Sequence, residues 1–480
     1  MQTFIGREAE LQVFSEALIS ENAELIAVFG RRRVGKTFMI RHAYAKQIIF
    51  EFSGVKETRA SQQIERFVLT LEKSFNIEKP ATTIRSWLHA FTLLADLLEK
   101  SGTRSKKKRV VFFDEFPWMD SPRSGFLAAF DNFWNGWATK QSNIVVVICG
   151  SAASWMIQNI VRNKGGLHNR LTRRIRLAPF NLKETEQFLQ SQKIQFRRYQ
   201  ILQFYMMMGG IPHYLKELRR GESVEQAIDR LFFAQDGLLR EEFTNLYPAL
   251  FDEPTRHLAV VRALAEKPSG LTRNQLIDAC ALDSGGSTTK MLDELLESGF
   301  VQHYFPFGKI TKDAIFKLID EYTIFYFKFI ENSKAIGEGA WLNQSQRSTY
   351  RIWCGLAFEN TCLKHVAQIK KGLGIAGIYT EQSVWRTEGK KEEQGAQIDL
   401  LLDRADNSIN IIEIKFSASE YVIDKKYAGE LENKKRIFNE KTATKKNIFL
   451  IMLTCYGVKK NPYFYNTVQK DLNMDILFES

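Results

Sequence analysis

The residues Gly30–Thr37, with the sequence GRRRVGKT, decide how this 480-residue chain is interpreted. They match the pattern G-x-x-x-x-G-K-[ST], a glycine-rich loop that surrounds phosphate groups. The apolar run Leu25–Phe29 precedes the loop and predicts a buried strand, and Phe38–Tyr44 predicts the start of a helix. Strand, loop and helix in this order are the context that the motif requires, whereas a glycine-rich turn that binds nothing needs neither flank. The sequence therefore predicts a site for nucleotide phosphates.

The chemistry of this loop assigns roles to its residues. Backbone N–H groups and the N-terminus of the following helix are expected to bind the phosphates. Lys36 is expected to reach the β- and γ-phosphates, and the Thr37 hydroxyl is expected to bind Mg²⁺. The predicted nucleotide contacts are Gly30, Arg33, Val34, Gly35, Lys36, Thr37 and Phe38.

Two further apolar runs end in polar residues. Val110–Glu115 predicts a strand that ends in two carboxylates, of which Asp114 is expected to support Mg²⁺ and Glu115 to polarise the attacking water. A strand can also end in acids by chance, but a position after a phosphate-binding loop favours the functional interpretation. Ile144–Ser151 predicts another buried strand, with Ser151 placed to sense the γ-phosphate or the attacking water.

Basic and N-terminal segments leave alternatives open. Either Arg170 or an arginine of Arg173–Arg176 is predicted to stabilise charge on the transferred phosphoryl group, and we favour Arg170; otherwise these arginines line a basic face. Phe4–Glu8 either folds over the nucleotide base or simply begins a first helix. The basic loop Arg104–Arg109 either touches nucleic acid or is solvated surface.

Composition narrows the class of protein. The chain is 44% hydrophobic and 25% charged, with a net charge of +12 and a pI of about 9.2. Such a balance favours a polyanionic partner, although surplus lysine is also found on ordinary surfaces. The five cysteines are scattered without a C-x-x-C pair, which argues against zinc and disulfides and predicts a reducing cytoplasm. We see no signal-peptide pattern and no apolar run long enough to span a membrane.

The motifs together define a nucleotide-binding fold. Strands alternating with helical segments predict an α/β domain with a doubly wound parallel sheet over residues 1–180, followed by a helical lid over 181–250. Phe4–Glu8, the phosphate loop, the Asp114-Glu115 strand, Cys149–Ser151 and Gly209–Leu215 resemble the archaeal-type ATPases, which are AAA+-related STAND P-loop ATPases.

This resemblance carries expectations of its own. It implies ATP binding by Gly35, Lys36 and Thr37 and catalysis aided by Glu115. It also implies a turn at Gly210 and Pro212 near the base or ribose of the nucleotide. The family further implies an ATP-dependent conformational switch, often in homo-oligomers. Arg170 follows Asn169, where relatives often carry glycine.

Residues 251–322 predict a winged helix-turn-helix, because three helical segments precede a β-hairpin with Gly308 in its turn. Thr272 is the expected cap of the second helix. If the module binds DNA, Ser287–Lys290 would enter the major groove and Lys309 and Lys312 would sit on the wing. Phosphates would repel the acids of the third helix, so an inter-domain adaptor role stays open. Those acids are Asp293, Glu294 and Glu297.

The last part of the chain contains a nuclease-like set of residues. After a helical connector over 323–344, residues 345–480 contain Asp399 and Glu413 on two successive predicted strands. These carboxylates could bind a divalent metal, with Glu359 on a helix as a supporting acid. Lys415 shares a face with Glu413 and could activate a water. The alternative is a surface ion pair.

This arrangement resembles the PD-(D/E)XK nucleases found appended to archaeal-type ATPases. The resemblance assigns Asp399 and Glu413 as metal ligands, Lys415 as activator and Glu359 as supporting acid. A later basic helix either follows a phosphate backbone or solubilises the protein. Its candidate residues are Lys425, Lys426, Tyr427, Lys434, Lys435 and Arg436.

Two functions follow from these patterns. The first is a Mg²⁺-dependent ATPase switch joined to a winged-helix and nuclease-like module that acts on DNA. The second is a regulatory protein in which the winged-helix and nuclease-like domains bind without cutting.

Overall fold

The computed structural model describes residues 4–78, 80, 83–102, 107–151, 153–161, 170–308, 313–334, 337, 339–387 and 395–479. The chain forms two compact units, and each is described by itself. The first unit contains Met1–Pro179 and Asn245–Pro254, and the second contains Phe180–Thr244 and Thr255–Ser480.

The first unit is built on a five-stranded sheet in which every pairing is parallel, in the order β2-β3-β4-β1-β5. Its strands are β1 (Glu24–Phe29), β2 (Ile48–Ser53), β3 (Arg109–Asp114), β4 (Ile144–Gly150) and β5 (Arg173–Arg176). Its helices are α1 (Glu8–Ile19), α2 (Lys36–Ala43), α3 (Ala60–Phe75), α4 (Trp87–Gly102), α5 (Phe126–Asn132) and α6 (Ala153–Met156).

The apolar runs of the sequence become the central strands of this sheet. Every residue of β1 and β4 is buried, because a parallel sheet carries helices on both faces. The predicted α/β class with a parallel sheet is therefore confirmed. The basic run Arg173–Arg176, predicted to supply an arginine to the phosphoryl group or to line a basic face, forms the edge strand β5, a strand that the sequence did not predict, and Ile175 is its buried residue.

Aromatic side chains hold the helices against the sheet. Phe67 on α3 packs against Phe50, Phe52, Trp87 and Phe91, with ring centroids 5.0–5.6 Å apart. Most of these contacts are edge-to-face, the geometry that aromatic pairs favour. This core fixes the strands whose carboxyl ends carry the residues of the predicted nucleotide site.

The second unit contains an eight-stranded mixed sheet in the order β13-β12-β11-β10-β9-β7-β8-β6. Its strands are β6 (Leu271–Thr272), β7 (Val301–Pro306), β8 (Ile315–Leu318), β9 (Thr380–Thr387), β10 (Ala396–Arg404), β11 (Ser408–Lys415), β12 (Asn447–Thr454) and β13 (Lys470–Asn473). The described helices from residue 180 onward are α7 (Leu182–Ser191), α8 (Arg198–Met208), α9 (Pro212–Leu215), α10 (Val224–Ile228), α11 (Leu238–Leu246), α12 (Pro254–Glu266), α13 (Arg273–Cys280), α14 (Gly286–Glu297), α15 (Glu321–Phe325), α16 (Ala340–Ser345), α17 (Ser348–Lys364), α18 (Val366–Leu373), α19 (Lys425–Thr442) and α20 (Pro462–Thr467).

One pairing joins two segments that the sequence treats as separate modules. Strand β7 belongs to the hairpin that follows α14, and it pairs in parallel with β9 through Phe305 opposite Ser383 and Pro306 opposite Val384. Strands β10 and β11 then form the predicted hairpin, and β12 and β13 add parallel to it. Residues on both sides of the predicted connector thus share one sheet.

The predicted order of three helices and a hairpin is observed in α12–α14 and β7–β8. The Thr272 side chain accepts a hydrogen bond from the Gln275 backbone N–H, so its predicted capping role is confirmed. Gly308 has a φ of +71°, a left-handed conformation that favours glycine. Several predicted residues lie outside the described part of the chain, namely Arg104–Lys106, Leu167–Asn169, Lys309 and Lys312.

The cysteines and helices can be compared with the expectations from composition. All five cysteines are free, and Cys149, Cys354, Cys362 and Cys455 are buried. Among the helices within the described residues, none combines the length and the apolarity needed to cross a membrane.

A buried histidine links the start of α7 to the junction of α17 and α18. His365 Nδ1 donates to the Thr361 carbonyl at 2.7 Å, and Nε2 accepts from the Leu182 backbone N–H at 3.1 Å. The ring therefore satisfies one of the unpaired N–H groups at the start of a helix. The bond from Leu182 requires an unprotonated Nε2 and hence a neutral imidazole, and burial lowers the pKa of His365 to about 4.

We expect His365 to make the stability of the protein depend on pH between about 6.5 and 4. The unfolded chain binds this proton near pH 6.5 and the folded chain only near pH 4, so the stabilisation is complete above 6.5 and is lost as the pH falls. The loss approaches about 3 kcal/mol at pH 4. Urea unfolding from pH 7 to 4 should therefore show a steeper decline for wild type than for His365→Gln. The exposed His303→Gln is the control, and equal slopes for wild type and His365→Gln would contradict the assignment.

Candidate functional site

The phosphate loop spans the six residues between the end of β1 and the start of α2. Arg33 and Gly35 adopt left-handed φ values of +69° and +92°, which turn the backbone around the loop. Lys36 is buried, and its Nζ donates to the carbonyls of Gly30 and Arg31 at 3.1 and 2.9 Å. Burial lowers its pKa from the ordinary lysine value. An ammonium group binds an anionic phosphate more strongly than a neutral carbonyl. Nucleotide phosphates can therefore replace the two carbonyls as the hydrogen-bond partners of Lys36.

Neighbouring residues fix the loop in place. Gly30 has a φ of +135°, and a Cβ added there would lie 2.4 Å from the Leu177 carbonyl oxygen, so the position requires glycine. Val34 is buried, whereas Phe38 on α2 is 47% exposed. The loop therefore combines a rigid base with one exposed aromatic ring at the start of the helix.

The N-terminal segment lies against the helix that follows the loop. The Phe4 ring stacks on His42 with centroids 4.3 Å apart and on Phe38 at 5.8 Å. Arg7 is buried and donates to the Ala178 carbonyl at 2.7 Å. The sequence left open whether Phe4–Glu8 folds over the nucleotide base or simply begins a first helix. The contacts of Phe4 and Arg7 favour a segment that borders the predicted nucleotide site, and α1 follows it as an ordinary helix.

Asp114 and Thr37 meet at the edge of the sheet. The Thr37 hydroxyl donates to the Asp114 carboxylate, with distances of 3.0 and 3.1 Å to its two oxygens. Burial raises the pKa of Asp114, while the bond from Thr37 opposes that shift, and the Cys149 thiol also donates to this carboxylate. A hydroxyl and a carboxylate are the hard oxygen donors that Mg²⁺ prefers alongside phosphate and water. The residues present therefore fit Mg²⁺.

Glu115 and Ser151 form the second polar pair. The Ser151 hydroxyl donates to Glu115 Oε2 at 2.9 Å, and burial raises the pKa of Glu115. Strand β4 lies between β1 and β3, so the residue after β4 is held between Lys36 and the two acids. At the end of β4, a Cβ on Gly150 would meet the Pro117 ring at 2.6 Å, which keeps the loop after β3 close.

The other residues predicted for the nucleotide site have less definite surroundings. Arg170 is exposed in the turn before β5. Arg173 is engaged by Glu16 at 2.8 Å and Glu24 at 3.4 Å, which gives it a structural role at the sheet edge. Gly210 belongs to the second unit, where a Cβ would lie 1.9 Å from the Phe180 carbonyl oxygen. Pro212 begins α9 in the same unit.

The second candidate site is the C-terminal acid cluster, which we define as Asp399, Glu413 and Glu359. Asp399 Oδ2 accepts from the Ile414 backbone N–H at 3.3 Å, so Asp399 and Glu413 lie beside each other on β10 and β11 as predicted. Glu413 Oε1 is 2.9 Å from Lys415 Nζ, which confirms their common face. Burial, Glu413 and Glu359 together raise the pKa of Asp399 well above that of an ordinary carboxyl.

Two residues that the sequence assigned to a basic helix enter this cluster. Lys434 Nζ lies 2.5 Å from Glu413 Oε2, and the Tyr427 hydroxyl donates to Oε1 at 3.1 Å. Burial alone would raise the pKa of Glu413, but Lys434 and Lys415 lower it. Sequence reasoning missed these contacts, although the spacing of Tyr427 and Lys434, two turns apart on one helix, was a usable signal.

Glu359 has a different partner. Its Oε1 is 2.9 Å from Lys317 Nζ, and it lines a cavity of about 220 Å³ together with Asp399 and Lys317. Within the described residues, no three His, Cys, Asp or Glu side chains are arranged to hold a metal ion. The three predicted carboxylate ligands are thus not gathered at one point in this structure.

The predicted DNA-contacting helix needs correction. The Thr288 side chain is buried and its hydroxyl donates to the Asp283 carbonyl at 2.6 Å, so it cannot enter a groove. Glu294 is also buried, with Oε2 2.8 Å from His257 Nε2. The expectation that Glu294 would face and repel a phosphate backbone is therefore wrong. The exposed surface of α14 retains Ser287, Thr289 and Lys290.

The comparison with known families bears on the nucleotide site. Residues 4–218 match the model of an ATPase domain found predominantly in Archaea. The similarity to this ATPase family is confined to these residues, which are less than half of the chain. The match extends through Gly210 and Pro212, and it stops before the predicted winged helix and the acid cluster.

Individual relatives are distant. An uncharacterized protein of Methanocaldococcus jannaschii is 23% identical over 421 residues, which is 86% of this chain and 87% of that protein. A Walker-type ATPase of Pyrococcus abyssi is 18% identical, with a TM-score of 0.49 over 68% of this chain and 96% of its own. The ORC2 protein of Aeropyrum pernix is 14% identical, with a TM-score of 0.39 over 66% and 89% of the two chains.

We expect Lys36→Met to weaken ATP binding about 10- to 100-fold, because it removes a charge-assisted bond to phosphate. Titration with a fluorescent ATP analogue in Mg²⁺ measures this directly. Lys108→Met, which removes a lysine bonded to the Asn22 carbonyl in the same unit, is the control. Equal affinity for Lys36→Met and wild type would exclude Lys36 as a phosphate ligand.

We expect Glu115→Gln to bind ATP normally and to hydrolyse it about 10²- to 10⁴-fold more slowly, because the amide cannot accept the proton of the attacking water. Single-turnover hydrolysis separates this step from binding. Asp120→Asn changes a nearby carboxylate that is bonded to Trp155 and should hydrolyse ATP at the wild-type rate. Undiminished hydrolysis by Glu115→Gln would remove its role as base.

Proposed function

We propose that this protein is a Mg²⁺-dependent ATPase that acts as a conformational switch and controls a module acting on DNA. One observation supports ATPase activity above all: five polar side chains lie at the carboxyl edge of one parallel sheet. They are Lys36, Thr37, Asp114, Glu115 and Ser151. The match of residues 4–218 to an ATPase domain supports the same function.

In this proposal each side chain of the nucleotide site has a defined task. Lys36 exchanges its two loop carbonyls for β- and γ-phosphate oxygens. Thr37 and Asp114 would hold Mg²⁺, which would neutralise phosphate charge. Glu115 accepts a proton from the attacking water, and the Ser151 hydroxyl keeps the carboxylate oriented until the γ-phosphate or the water replaces that bond. Loss of the γ-phosphate then frees Ser151 to return to Glu115.

A short segment of the chain supports coupling of the switch to the second unit. Asn245–Pro254 belongs to the ATPase unit, while the residues on both sides of it belong to the other unit. The side chains of three residues in this segment, Leu246, Tyr247 and Leu250, are buried. A change in the ATPase unit would therefore reach the end of α11 and the start of α12 through the backbone itself. ATP-dependent homo-oligomers are also part of the proposal.

We propose that residues 251–322 are a winged helix and that residues 345–480 are a PD-(D/E)XK-like domain that hydrolyses phosphodiesters. Asp399 and Glu413 are neighbouring hard-oxygen donors and fit a divalent metal ion, which would neutralise charge on the scissile phosphate. Lys415 is placed beside Glu413 to orient or deprotonate a water. Lys434 and Tyr427 hold Glu413 in place.

A regulatory function is the second candidate, because a specific feature favours it. The carboxylate of Glu413 already forms ion pairs with Lys415 and Lys434 and accepts a hydrogen bond from Tyr427. Glu359 already forms an ion pair with Lys317. Carboxylates whose charge is neutralised by lysines in this way are compatible with a domain that binds a partner without cleaving DNA. In that case ATP would switch the affinity for a partner and would not control cleavage.

We expect the purified protein to cleave DNA only with Mg²⁺ or Mn²⁺, and Asp399→Ala to abolish cleavage because it removes a metal ligand. Linear, nicked, branched and single-stranded substrates are compared with and without ATP. The control is Asp403→Ala, which removes a carboxylate of the same strand that is paired with Lys446 at 2.5 Å.

The outcomes separate the two candidate functions. Metal-dependent cleavage by wild type and Asp403→Ala, but not by Asp399→Ala, supports the nuclease. Cleavage that survives Asp399→Ala comes from elsewhere and contradicts the assignment. No cleavage of any substrate by protein that hydrolyses ATP selects the regulatory function.

A further inference from the structure

Lys317 is a buried cation in a hairpin that the sequence assigns to the DNA-binding module. It lies on β8 opposite Gln302 of β7 and is 5% exposed. Its Nζ is 2.9 Å from Glu359 Oε1 and 5.8 Å from the centre of the Tyr304 ring. The ammonium group is thus held by a carboxylate of α17 and an aromatic face of β7.

Such a pair is costly to bury for stability alone. Lysine is almost never fully buried without a partner, and replacing a buried ion pair by apolar residues is often neutral or stabilising. The hairpin could have used a leucine or methionine at this position, like its apolar neighbours Phe316 and Leu318. A charge at residue 317 therefore calls for a role beyond packing.

The location of the pair points to that role. Lys317, Glu359 and Asp399 line the same cavity of about 220 Å³. Lys317 contacts one oxygen of Glu359, so the same carboxylate can serve the lysine and a bound ion together.

The sheet fixes the lysine relative to the acids. Strand β7 pairs with β8 on one side and with β9 on the other, and β9 pairs with β10, which carries Asp399. The hairpin lysine and the acid cluster are therefore held by continuous backbone hydrogen bonding. A side chain from one predicted module completes the surroundings of a site in the other.

We propose that Lys317 is a positioning residue of the C-terminal acid cluster, which holds Glu359 towards the cavity shared with Asp399. The inference rests on the proposed divalent metal site, and it adds that the hairpin is part of that site. Lys317 acts through Glu359 and touches neither metal nor substrate.

The test measures Mn²⁺ binding by the full chain, in the absence of DNA and nucleotide. Lys317→Met keeps the apolar stem and removes the charge, and we expect it to raise the Mn²⁺ dissociation constant about 10- to 100-fold, as loss of a supporting contact typically does. Lys317→Arg keeps the charge and should restore binding to within a fewfold of wild type. Cleavage of DNA by each variant is a second measurement.

A matched control exists on the same helix. Lys364 at the end of α17 forms a buried ion pair with Glu321 at 2.5 Å. Lys364→Met breaks an equivalent pair away from the cavity and should leave Mn²⁺ affinity unchanged. If Lys317→Met does not fold, Lys317→Gln replaces it, because glutamine keeps a side-chain donor without the charge and leaves Glu359 unchanged, and it should show the same weakened affinity.

The results distinguish this inference from the proposed function. If wild type binds Mn²⁺, Asp399→Ala does not, and Lys317→Met or Lys317→Gln binds like wild type, Lys317 has no positioning role although the metal site stands. If Lys364→Met weakens binding as much as Lys317→Met, the effect is a general loss of stability and the inference fails. If wild type and Asp399→Ala are equally unable to bind Mn²⁺, the metal site itself fails.

Discussion

The carboxyl ends of the parallel strands β1, β3 and β4 meet at one edge of the first sheet, and the nucleotide site depends on this constraint. Helices cover both faces, so the strand interiors must be apolar and polar groups can appear only where the strands end. Asp114 and Ser151 stand at such ends, and Lys36 follows β1 through the phosphate loop. The buried ammonium of Lys36 is satisfied by carbonyls of its own loop, which keeps the backbone in a shape that can receive phosphate.

In the second unit, the carboxylates of the acid cluster are stabilised mainly by lysine side chains. Two acids of this cluster, Asp399 and Glu413, lie on strands of the mixed sheet, and Glu359 lies on α17. Glu413 is stabilised by Lys415, Lys434 and Tyr427, and Glu359 is stabilised by Lys317. Asp399 instead accepts a hydrogen bond from the Ile414 backbone N–H. Two of the acids thus have cations of their own, and the carboxylates stay separate instead of forming a ring of three. This pairing explains why the same residues can be interpreted either as a metal site or as a neutralised binding surface.

Local patterns were sufficient to predict much of this architecture. The loop at Gly30–Thr37, the acids after β3 and the common face of Glu413 and Lys415 all follow from spacing within a few residues. The contacts of Lys434 with Glu413 and of Lys317 with Glu359 join residues 21 and 42 positions apart, so they depend on how helices and strands pack. Glu294 was misjudged for the same reason, because its partner His257 lies on another helix. The edge strand β5 was missed because alternating arginines mask its single buried isoleucine.

The pairing of β7 with β9 has a consequence for how this protein can be divided. A fragment that began after the predicted connector would keep β9 but lose the strand that covers it. Its edge would then present unpaired backbone groups to other chains, a known route to edge-to-edge aggregation. The same fragment would leave Glu359 buried beside an empty position where the lysine had been. The hairpin and the C-terminal sheet are therefore expected to fold as one unit.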